Sequence, residues 1–266
     1  MYRILITEDI GPAGLALLDD AEDAEYQIIH LPKKEQLIEI IGGYDAIITR
    51  SGTAMDAEIF AAATRLKIAA RAGVGLDNID VEAATLHGIQ VMNTPASNTL
   101  GATELTMALM LSLCRNLPTA NDSVKNGEWT RKAFMGTELN GKTLGVIGLG
   151  RIGSRVATRS QAFGMNVIAY DPYIAEEIAE RIHVEIVGEF DELLSRADII
   201  TIHTPLTNET RGMIAAPEIA RMKDSVRIIN AARGGIIEEQ ALFDGLTSGK
   251  IAGAALDVYS TEPPNT

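Results

Sequence analysis

The chain has 266 residues, of which 46% are hydrophobic and 22% are charged, and its 36 acidic and 23 basic residues give a formal charge of −13. At roughly 150 residues per domain this length predicts about two domains, and the composition excludes a disordered chain. The acidic balance excludes nucleic acid as a broad partner and disfavours docking on anionic membranes.

Cys114 is the only cysteine of the sequence. A lone thiol excludes an internal disulfide framework and a cysteine-based zinc site, and it is typical of a reducing compartment. No apolar run reaches the ~18 residues of a membrane span, and the first ten residues, MYRILITEDI, lack the plan of a signal peptide. We therefore expect a cytoplasmic protein with no bound metal and with neither a membrane nor a nucleic acid as partner.

Short β-rich runs alternate with helical patterns through the first part of the chain. The predicted strands are Tyr2–Ile6, Tyr26–Ile29, Ala46–Thr49, Lys67–Ala70 and Ile89–Met92. The predicted helices between them include Lys33–Ile41, Asp56–Ala63 and Val81–His87. This alternation predicts a mainly parallel sheet with helices on both faces.

The alternation stops at the stretch NTPASN, residues 93–98, and an unusual segment follows. Thr99–Leu117 is apolar nearly all round, with Glu104 as its only acid. A helix that is hydrophobic on every side must be buried, so we expect this one to lie between two sheets. A polar, turn-rich connector follows over residues 118–142. We place the domain boundary at the start of the apolar segment, after residue 97.

The β-α alternation resumes in the second part of the chain. The predicted strands are Leu144–Ile147, Asn166–Tyr170, Ile199–His203, Val226–Asn230 and Ile251–Asp257. The helix expected after the last of these strands is absent, and the chain stops at Thr266 in a proline-bearing segment. We therefore expect the sequence to be a piece of a longer chain.

The stretch GLGRIG, residues 148–153, is a G-x-G-x-x-G motif that follows the apolar run KTLGVI and opens a helical pattern. In that setting Gly148 permits a tight turn, Gly150 lets the backbone approach a pyrophosphate, and Gly153 lets the helix pack on the strand. The free amides and positive dipole at the helix start favour phosphate. The predicted cofactor-binding residues of this segment are Gly148, Gly150, Arg151, Ile152 and Gly153.

Asp171 ends the second strand of this part of the chain, 18 residues after Gly153. A carboxylate there accepts both hydroxyls of an adenosine ribose and repels a 2′-phosphate, which favours NAD over NADP. The alternative is an ordinary turn aspartate before Pro172. FAD and S-adenosylmethionine use a similar fingerprint, so this region predicts a nucleotide without specifying a reaction.

In parallel α/β sheets, ligands bind at the carboxyl ends of the strands. Arg233 follows the strand Val226–Asn230 between small residues that let a guanidinium reach a ligand, although it could also be a surface arginine. Glu262 lies beyond the last strand, where a solvated loop acid is the alternative. The further candidates at these ends are His203, Thr204, Pro205, Ala231 and Asp257.

The stretch from GEWTRKAF to VIAYDP, residues 127–172, together with INAARGG and ALDVYSTEPP, resembles the NAD-dependent D-2-hydroxyacid dehydrogenases in order and in spacing. Within that family, TRSGT at 49–53 and RAGVGLDNID at 71–80 resemble the members that oxidise D-3-phosphoglycerate in serine biosynthesis. The resemblance implies a flavodoxin-like substrate domain over residues 1–97 and a Rossmann NAD domain over residues 98–266, with a cleft between them.

The resemblance also implies roles for individual residues. Arg233 falls on the arginine that binds the substrate carboxylate and polarises its carbonyl, a task that suits a planar, permanently charged fork. Glu262 falls on the acid that raises the pKa of the catalytic histidine. Asp257 falls on the residue that orients the nicotinamide carboxamide. His203 falls beside the cofactor, and we interpret it as structural. The resemblance further implies a dimer, or a tetramer, built on the nucleotide domains. Residues 99–142 would be its contact surface, and burial of the 99–117 helix inside the monomer is the alternative.

The predicted substrate-binding residues lie in the first domain, where the 71–75 turn resembles a loop whose amides hold a carboxylate. Arg50 and Arg71 match positions that face a substrate phosphate, as an anionic ligand of an acidic protein requires; ordinary loop arginines are the alternative. The predicted substrate-binding residues are Arg50, Ser51, Arg71, Ala72, Gly73 and Val74.

The family's general acid/base histidine lies beyond the EPP segment, and none of His30, His87, His183 and His203 occupies that place. We therefore expect this 266-residue chain to catalyse the reaction at least ~10²–10⁴-fold more slowly than a family member that carries the histidine. Two other functions stay open: a glyoxylate, hydroxypyruvate or other 2-oxo-acid reductase, and a non-catalytic NAD sensor like the dehydrogenase-like corepressors.

Overall fold

The computed structural model describes residues 1–174 and 176–264. They form two compact units, Met1–Asn98 and Thr99–Thr266, and the predicted boundary after residue 97 lies one residue from the one observed. Each unit contains one parallel sheet with helices between its strands. The predicted doubly wound α/β fold is confirmed.

The first unit has five parallel strands in the order β2-β1-β3-β4-β5. These strands are β1 (Tyr2–Ile6), β2 (Ala24–Ile28), β3 (Ala46–Thr49), β4 (Ile68–Arg71) and β5 (Gln90–Asn93). The helices are α1 (Gly11–Asp19), α2 (Lys34–Ile41), α3 (Ala57–Ala62) and α4 (Val81–Leu86). The strand order reverses direction between β1 and β3, and such switch points are where parallel sheets bind ligands.

Side chains from strands and helices form one core in the first unit. Leu5 and Ile47, from the central strands, and Leu37 and Phe60, from α2 and α3, are all buried. Burying a side chain of this size contributes ~1.5–3 kcal/mol to folding. Asp56 caps α3 by accepting hydrogen bonds from the amides of the first helical turn. The core therefore fixes the strands whose ends carry the candidate site of this unit.

The second unit has six parallel strands in the order β11-β10-β9-β6-β7-β8. These strands are β6 (Thr143–Ile147), β7 (Asn166–Tyr170), β8 (Glu185–Ile186), β9 (Ile199–Ile202), β10 (Val226–Asn230) and β11 (Ile251–Leu256). The helices are α5 (Thr99–Arg115), α6 (Leu117–Lys125), α7 (Gly153–Ala162), α8 (Glu176–Arg181), α9 (Phe190–Arg196), α10 (Ala216–Arg221) and α11 (Glu239–Thr247). The order reverses direction between β6 and β9.

Neighbouring residues of the central strands pack into two different cores. Val146 and Ile147 are both inaccessible to solvent but belong to separate clusters, as do Ile199 and Ile200. Because successive strand side chains point to opposite faces, this unit's sheet is covered on both sides. The strands that end at the predicted cofactor site are therefore rigid.

The prediction that the apolar segment after residue 98 is buried on every side is wrong. α5 packs on α7, β10 and β11 of its own unit, while Leu100 and Leu105 are exposed on its other side. The buried face includes Thr103 and Thr106, whose hydroxyls donate to carbonyls four residues earlier. Those bonds satisfy the hydroxyls, so these threonines can face the core while Leu100 and Leu105 remain outside.

The connector predicted over residues 118–142 is more ordered than its turn-rich composition indicated. α6 begins directly after Asn116, which adopts the left-handed conformation with φ +54° and separates it from α5. Arg131–Phe134 forms a short 3₁₀ helix. Two predicted strands also end one residue early, at Ile202 and Leu256, which leaves His203 and Asp257 in loops.

Cys114 lies in the core of the second unit and is 1% exposed. Burial raises the pKa of its thiol above the ordinary value, which keeps the reactive thiolate scarce. Within the described residues, no helix combines the length and the apolar character needed to cross a bilayer.

Candidate functional site

A cavity of about 700 Å³ opens in the second unit where β6 and β9 end. This place is the switch point of the six-stranded sheet, and the volume lies in the usual range for cofactor pockets. The predicted cofactor-binding residues that line the cavity are Gly148, Gly150, Asp171, His203, Thr204 and Pro205.

The glycines of the 148–153 motif each meet a different constraint. Gly148 has φ +88°, and a side chain on it would lie 2.9 Å from the His203 carbonyl oxygen. A side chain on Gly153 would overlap the Gly148 carbonyl, whereas a side chain on Gly150 would meet no described atom within 4 Å. Gly148 and Gly153 are therefore required by the turn itself, and Gly150 keeps space open in the cavity.

Asp171 anchors the wall of the cavity that the β7 end provides. One carboxylate oxygen accepts a hydrogen bond of 2.8 Å from the Leu149 amide, and the other accepts one of 3.0 Å from the Tyr173 amide. The side chain thus ties the glycine turn to the loop after β7. Each carboxylate oxygen keeps a further acceptor position for a ligand hydroxyl.

The opposite wall of the cavity comes from the loop after β9, which the sequence did not predict. This wall consists of Thr207, Asn208, Glu209, Thr210 and Met213. Tyr173 donates a hydrogen bond of 2.6 Å to Glu209 and so joins this wall to the β7 side. The TNET turn at 207–210 was a signal for an ordered loop, but nothing local indicated that it faces Asp171.

Thr204 and His203 occupy the end of β9 beside the glycine turn. The Thr204 hydroxyl is buried and has no hydrogen-bond partner among the described residues, so it can bond a polar group of a bound molecule. Burial lowers the pKa of His203 to about 4, which makes the imidazole neutral at physiological pH. Its Nε2 lies 3.0 Å from the Thr201 hydroxyl.

Five of the predicted cofactor-binding residues do not line the cavity. Arg151 and Ile152 lead into α7, which begins at Gly153, while Ala231 and Asp257 follow β10 and β11. Asp257 donates its amide to the Asn230 carbonyl, at 3.0 Å, and thereby continues the strand pairing by one residue. Contact of these five residues with a cofactor stays a prediction.

The turn that carries Arg233 is held by Asn230, a buried side chain that was not among the predicted site residues. The Asn230 carboxamide donates to the Arg233 carbonyl at 2.9 Å and accepts from the Ala232 amide at 3.0 Å. The Arg233 guanidinium donates to the Ala232 carbonyl at 2.7 Å. A carboxamide at the end of the strand VRIIN, directly after two isoleucines, was the available signal, because buried amides need partners.

Glu262 lies on a loop that contacts the Arg233 turn. A side chain on Gly234 would overlap the Tyr259 carbonyl, so the two loops touch through bare backbone. Glu262 accepts a hydrogen bond of 3.0 Å from the Tyr259 amide, and Glu239 accepts one of 2.7 Å from the Ser260 amide. Both carboxylates fix the loop in place.

The predicted substrate-binding residues of the first unit lie after β3 and β4. Arg50 and Ser51 are exposed on the turn that follows β3, and the Arg50 guanidinium donates to the Asp9 carbonyl at 3.2 Å. Arg71, at the end of β4, donates to the Gly75 carbonyl and braces its own turn. The first unit therefore presents both arginines at the carboxyl ends of neighbouring strands.

Two of the four amides expected to hold a carboxylate in the 71–75 turn are already used. The Ala72 amide donates to the Thr49 carbonyl and the Gly73 amide to the Arg71 carbonyl, both at 2.8 Å. Asn93 supports the turn by donating to the Val74 carbonyl at 2.6 Å. Among the described residues no backbone carbonyl accepts from the amides of Val74 and Gly75, so these two are the candidate donors to an anion.

A family model described as "D-isomer specific 2-hydroxyacid dehydrogenase, NAD binding domain" matches residues 107–266. The prediction of NAD as the cofactor is confirmed by this match, and similar solved structures contain NAD. The geometry of the second unit fits such a group, because its cavity combines an open glycine turn with an unpartnered hydroxyl.

Curated relatives match almost the whole chain. A D-3-phosphoglycerate dehydrogenase of Methanocaldococcus jannaschii is 50% identical over 264 residues, and one of Bacillus subtilis is 47% identical over 264 residues. In both comparisons the match covers 99% of this chain and 50% of the relative. The chain therefore spans about half the length of these curated relatives.

Solved structures match both sheets. A glyoxylate reductase of Paecilomyes thermophila aligns with a TM-score of 0.92 at 34% identity, covering 99% of this chain and 83% of that one. A D-lactate dehydrogenase of Aquifex aeolicus, in complex with NAD and lactic acid, aligns with a TM-score of 0.88 at 32% identity. That match covers 97% of this chain and 78% of the other.

Proposed function

Because the chain belongs to the D-isomer specific 2-hydroxyacid dehydrogenases, we propose that it acts in the NAD-dependent oxidation of D-3-phosphoglycerate to 3-phosphohydroxypyruvate. The observation that supports this choice of substrate is the similarity to D-3-phosphoglycerate dehydrogenases, at 46–53% identity over nearly the whole chain. The glyoxylate reductase is more distant, at 34%. Bound NAD supplies the acceptor for the hydride that leaves the substrate carbon.

Different residues of the second unit bind different parts of the cofactor in this proposal. The turn at Gly148–Gly153 receives the pyrophosphate, because amides at the start of α7 favour negative charge. Asp171 receives the ribose hydroxyls at the β7 end. The Thr204 hydroxyl satisfies its missing hydrogen bond on the cofactor. These assignments use groups that the fold leaves open to a ligand.

Arg233 binds the substrate carboxylate and polarises the carbon–oxygen bond at which the hydride leaves. Its turn is held by Asn230 and by contact with the Tyr259 backbone, so the backbone that carries the guanidinium is held in place. Glu262 orients the histidine that takes the hydroxyl proton. We assign that proton to none of the four histidines of this sequence; for His203 in particular, a pKa lowered to about 4 makes the imidazole a poor proton acceptor.

The first unit contributes the anion-binding groups for the substrate. Arg50 binds the phosphate, with Ser51 beside it, while Arg71 braces the turn whose Val74 and Gly75 amides donate to a carboxylate. A net charge of −13 makes such local cations necessary for an anionic substrate. The protein is further proposed to be cytoplasmic and to form a homodimer, with exposed apolar side chains of α5 and α6 as the contact surface.

Replacing Arg50 with alanine tests the substrate. We expect KM for D-3-phosphoglycerate to rise at least tenfold, because the phosphate loses a charge-assisted hydrogen bond, while KM for D-glycerate changes less than twofold. Steady-state kinetics of both substrates, measured by NADH absorbance, give the comparison. Exposed Arg65, which pairs with Asp45 in the same unit, provides the matched control as Arg65→Ala.

The kinetic result separates the three functions. Equal losses on both substrates, or none, would overturn the phosphate assignment. If the wild-type protein reduces glyoxylate or hydroxypyruvate and leaves D-3-phosphoglycerate unchanged, the 2-oxo-acid reductase is correct instead. If a chain that also carries the family's acid/base histidine binds NAD but turns over none of these acids, the corepressor-like NAD sensor is supported.

Replacing Asp171 with asparagine tests cofactor selectivity. The wild-type protein should bind NAD more tightly than NADP, because the carboxylate repels a 2′-phosphate. Asp171→Asn keeps one acceptor oxygen and removes the charge, so we expect the ratio of the two dissociation constants to move at least tenfold toward NADP. Isothermal titration of both cofactors measures the ratio, and a wild-type preference for NADP would show that Asp171 does not select NAD.

A further inference from the structure

Glu8 leaves the end of β1 and reaches the turn that follows β3. Its carboxylate accepts hydrogen bonds from the amides of Arg50, Gly52 and Thr53, at 2.8, 2.9 and 3.0 Å respectively. The three amides converge on one side chain, which makes the turn a ready-made anion cradle with Glu8 in it. β1 and β3 flank the switch point of the five-stranded sheet, so this contact lies where the first unit is built to hold a ligand.

Gly52 makes the approach of Glu8 possible. A side chain there would lie 3.0 Å from the Glu8 carboxylate and 2.7 Å from the Leu31 side chain. The contact with Leu31 is closer than a Cβ atom tolerates and the one with Glu8 is tight, so a larger residue would have to move the Leu31 side chain and would crowd the carboxylate. Gly52 is not in the left-handed conformation, so its missing side chain, and not its φ, is what lets Glu8 approach the turn.

Asn78 holds the same turn from its carbonyl side. The Asn78 carboxamide donates to the Arg50 carbonyl at 2.7 Å and to the Thr53 carbonyl at 2.6 Å. The two side chains together use amides and carbonyls of one four-residue turn, although they come from positions 42 and 28 residues away from Arg50. A turn bonded on both sides has little freedom to move the residues it carries.

We propose that Glu8, with Gly52 and Asn78, positions Arg50 to bind the phosphate group of the substrate. This inference rests on the proposed function. Because Glu8 occupies the turn's amides, an incoming phosphate is left with the side chains of Arg50 and Ser51. The bonds to these amides also hold the pKa of the Glu8 carboxyl below its ordinary value, against the opposing effect of burial. Glu8 is therefore charged at physiological pH and keeps all three bonds.

The variant Glu8→Gln keeps the length of the side chain and replaces one acceptor oxygen by an N–H donor. An amide of the turn then faces another N–H group, and the turn must shift. We expect KM for D-3-phosphoglycerate to rise about tenfold, with kcat within twofold, since Arg50 is displaced but the reacting groups are untouched. KM for NAD and KM for D-glycerate should both stay within twofold. A residue needed only for folding would not separate these four constants.

Two further variants complete the test. Asn78→Ala frees the turn from its other side without touching Glu8, so the same rise in KM is expected even if Glu8→Gln fails to fold. Glu39→Gln, an exposed acid on α2, is the matched control. If Arg50→Ala raises KM and neither Glu8→Gln nor Asn78→Ala does, the positioning role is overturned and the proposed function stands. If Arg50→Ala also leaves KM unchanged, both are wrong.

Discussion

Replacing Arg233 with lysine should lower kcat/KM for the 2-hydroxy acid by about 10²- to 10³-fold and leave the dissociation constant for NAD within twofold. Removal of one preorganised donor at a developing charge costs that much in other enzymes. A lysine keeps the positive charge but loses the planar fork that bonds a carboxylate and a carbonyl oxygen together. The turn itself should survive, because Asn230 holds it through backbone groups.

The control for Arg233 is Arg221→Lys. Arg221 lies on the surface of α10 and pairs with Asp191 and Glu218, so its loss should leave kcat/KM unchanged. Single-turnover kinetics with saturating NAD then isolate the chemical step from cofactor binding. If Arg233→Lys retains more than a third of wild-type turnover, the guanidinium does not polarise the substrate and its assigned role is wrong.

Alanine at Gly153 and alanine at Gly150 should have different consequences, although both glycines belong to one motif. A methyl group on Gly153 would overlap the Gly148 carbonyl, so the strand-to-helix turn must distort. We expect Gly153→Ala to lower the melting temperature by about 2–12 °C, from ~1–3 kcal/mol of overpacking, and to raise the NAD dissociation constant more than tenfold.

Gly150→Ala should leave the melting temperature within about 1 °C, because its methyl group meets no described atom within 4 Å. The methyl group instead occupies space at the cavity wall, and we expect NAD to bind at least tenfold more weakly. Calorimetric melting and NAD titration distinguish the two variants. Exposed Gly188, also without a close neighbour, supplies the control Gly188→Ala. Equal effects of the two motif variants would falsify the division of roles.

Local signals in the sequence predicted the parts of this molecule that depend on residues close together in the chain. The predicted strands Tyr2–Ile6, Ala46–Thr49, Asn166–Tyr170 and Val226–Asn230 have the observed bounds. A parallel strand buried on both faces is a short apolar run, and such runs are readable without a structure. The glycine motif was predictable for the same reason, because strand, turn and helix are consecutive.

Contacts between distant positions were not predictable. The wall at Thr207–Thr210 faces Asp171 only because the sheet order places β9 next to β6. Glu8 contacts a turn 42 residues away, and its place in the sequence gives no periodic or motif signal. α5 was misjudged for a related reason: hydrophobicity alone does not tell which side a neighbouring sheet covers, and threonines that bond their own helix can be buried.

The buried Cys114 has a practical consequence for measurement. Since the sequence holds no other cysteine, and this thiol is both shielded and poorly ionised, maleimide reagents should leave the wild-type protein unlabelled. Two cysteines, introduced at one exposed position in each unit, would then be the targets for the dyes. Fluorescence energy transfer between two such dyes would report the separation of the two units in solution, with and without NAD, against a silent background.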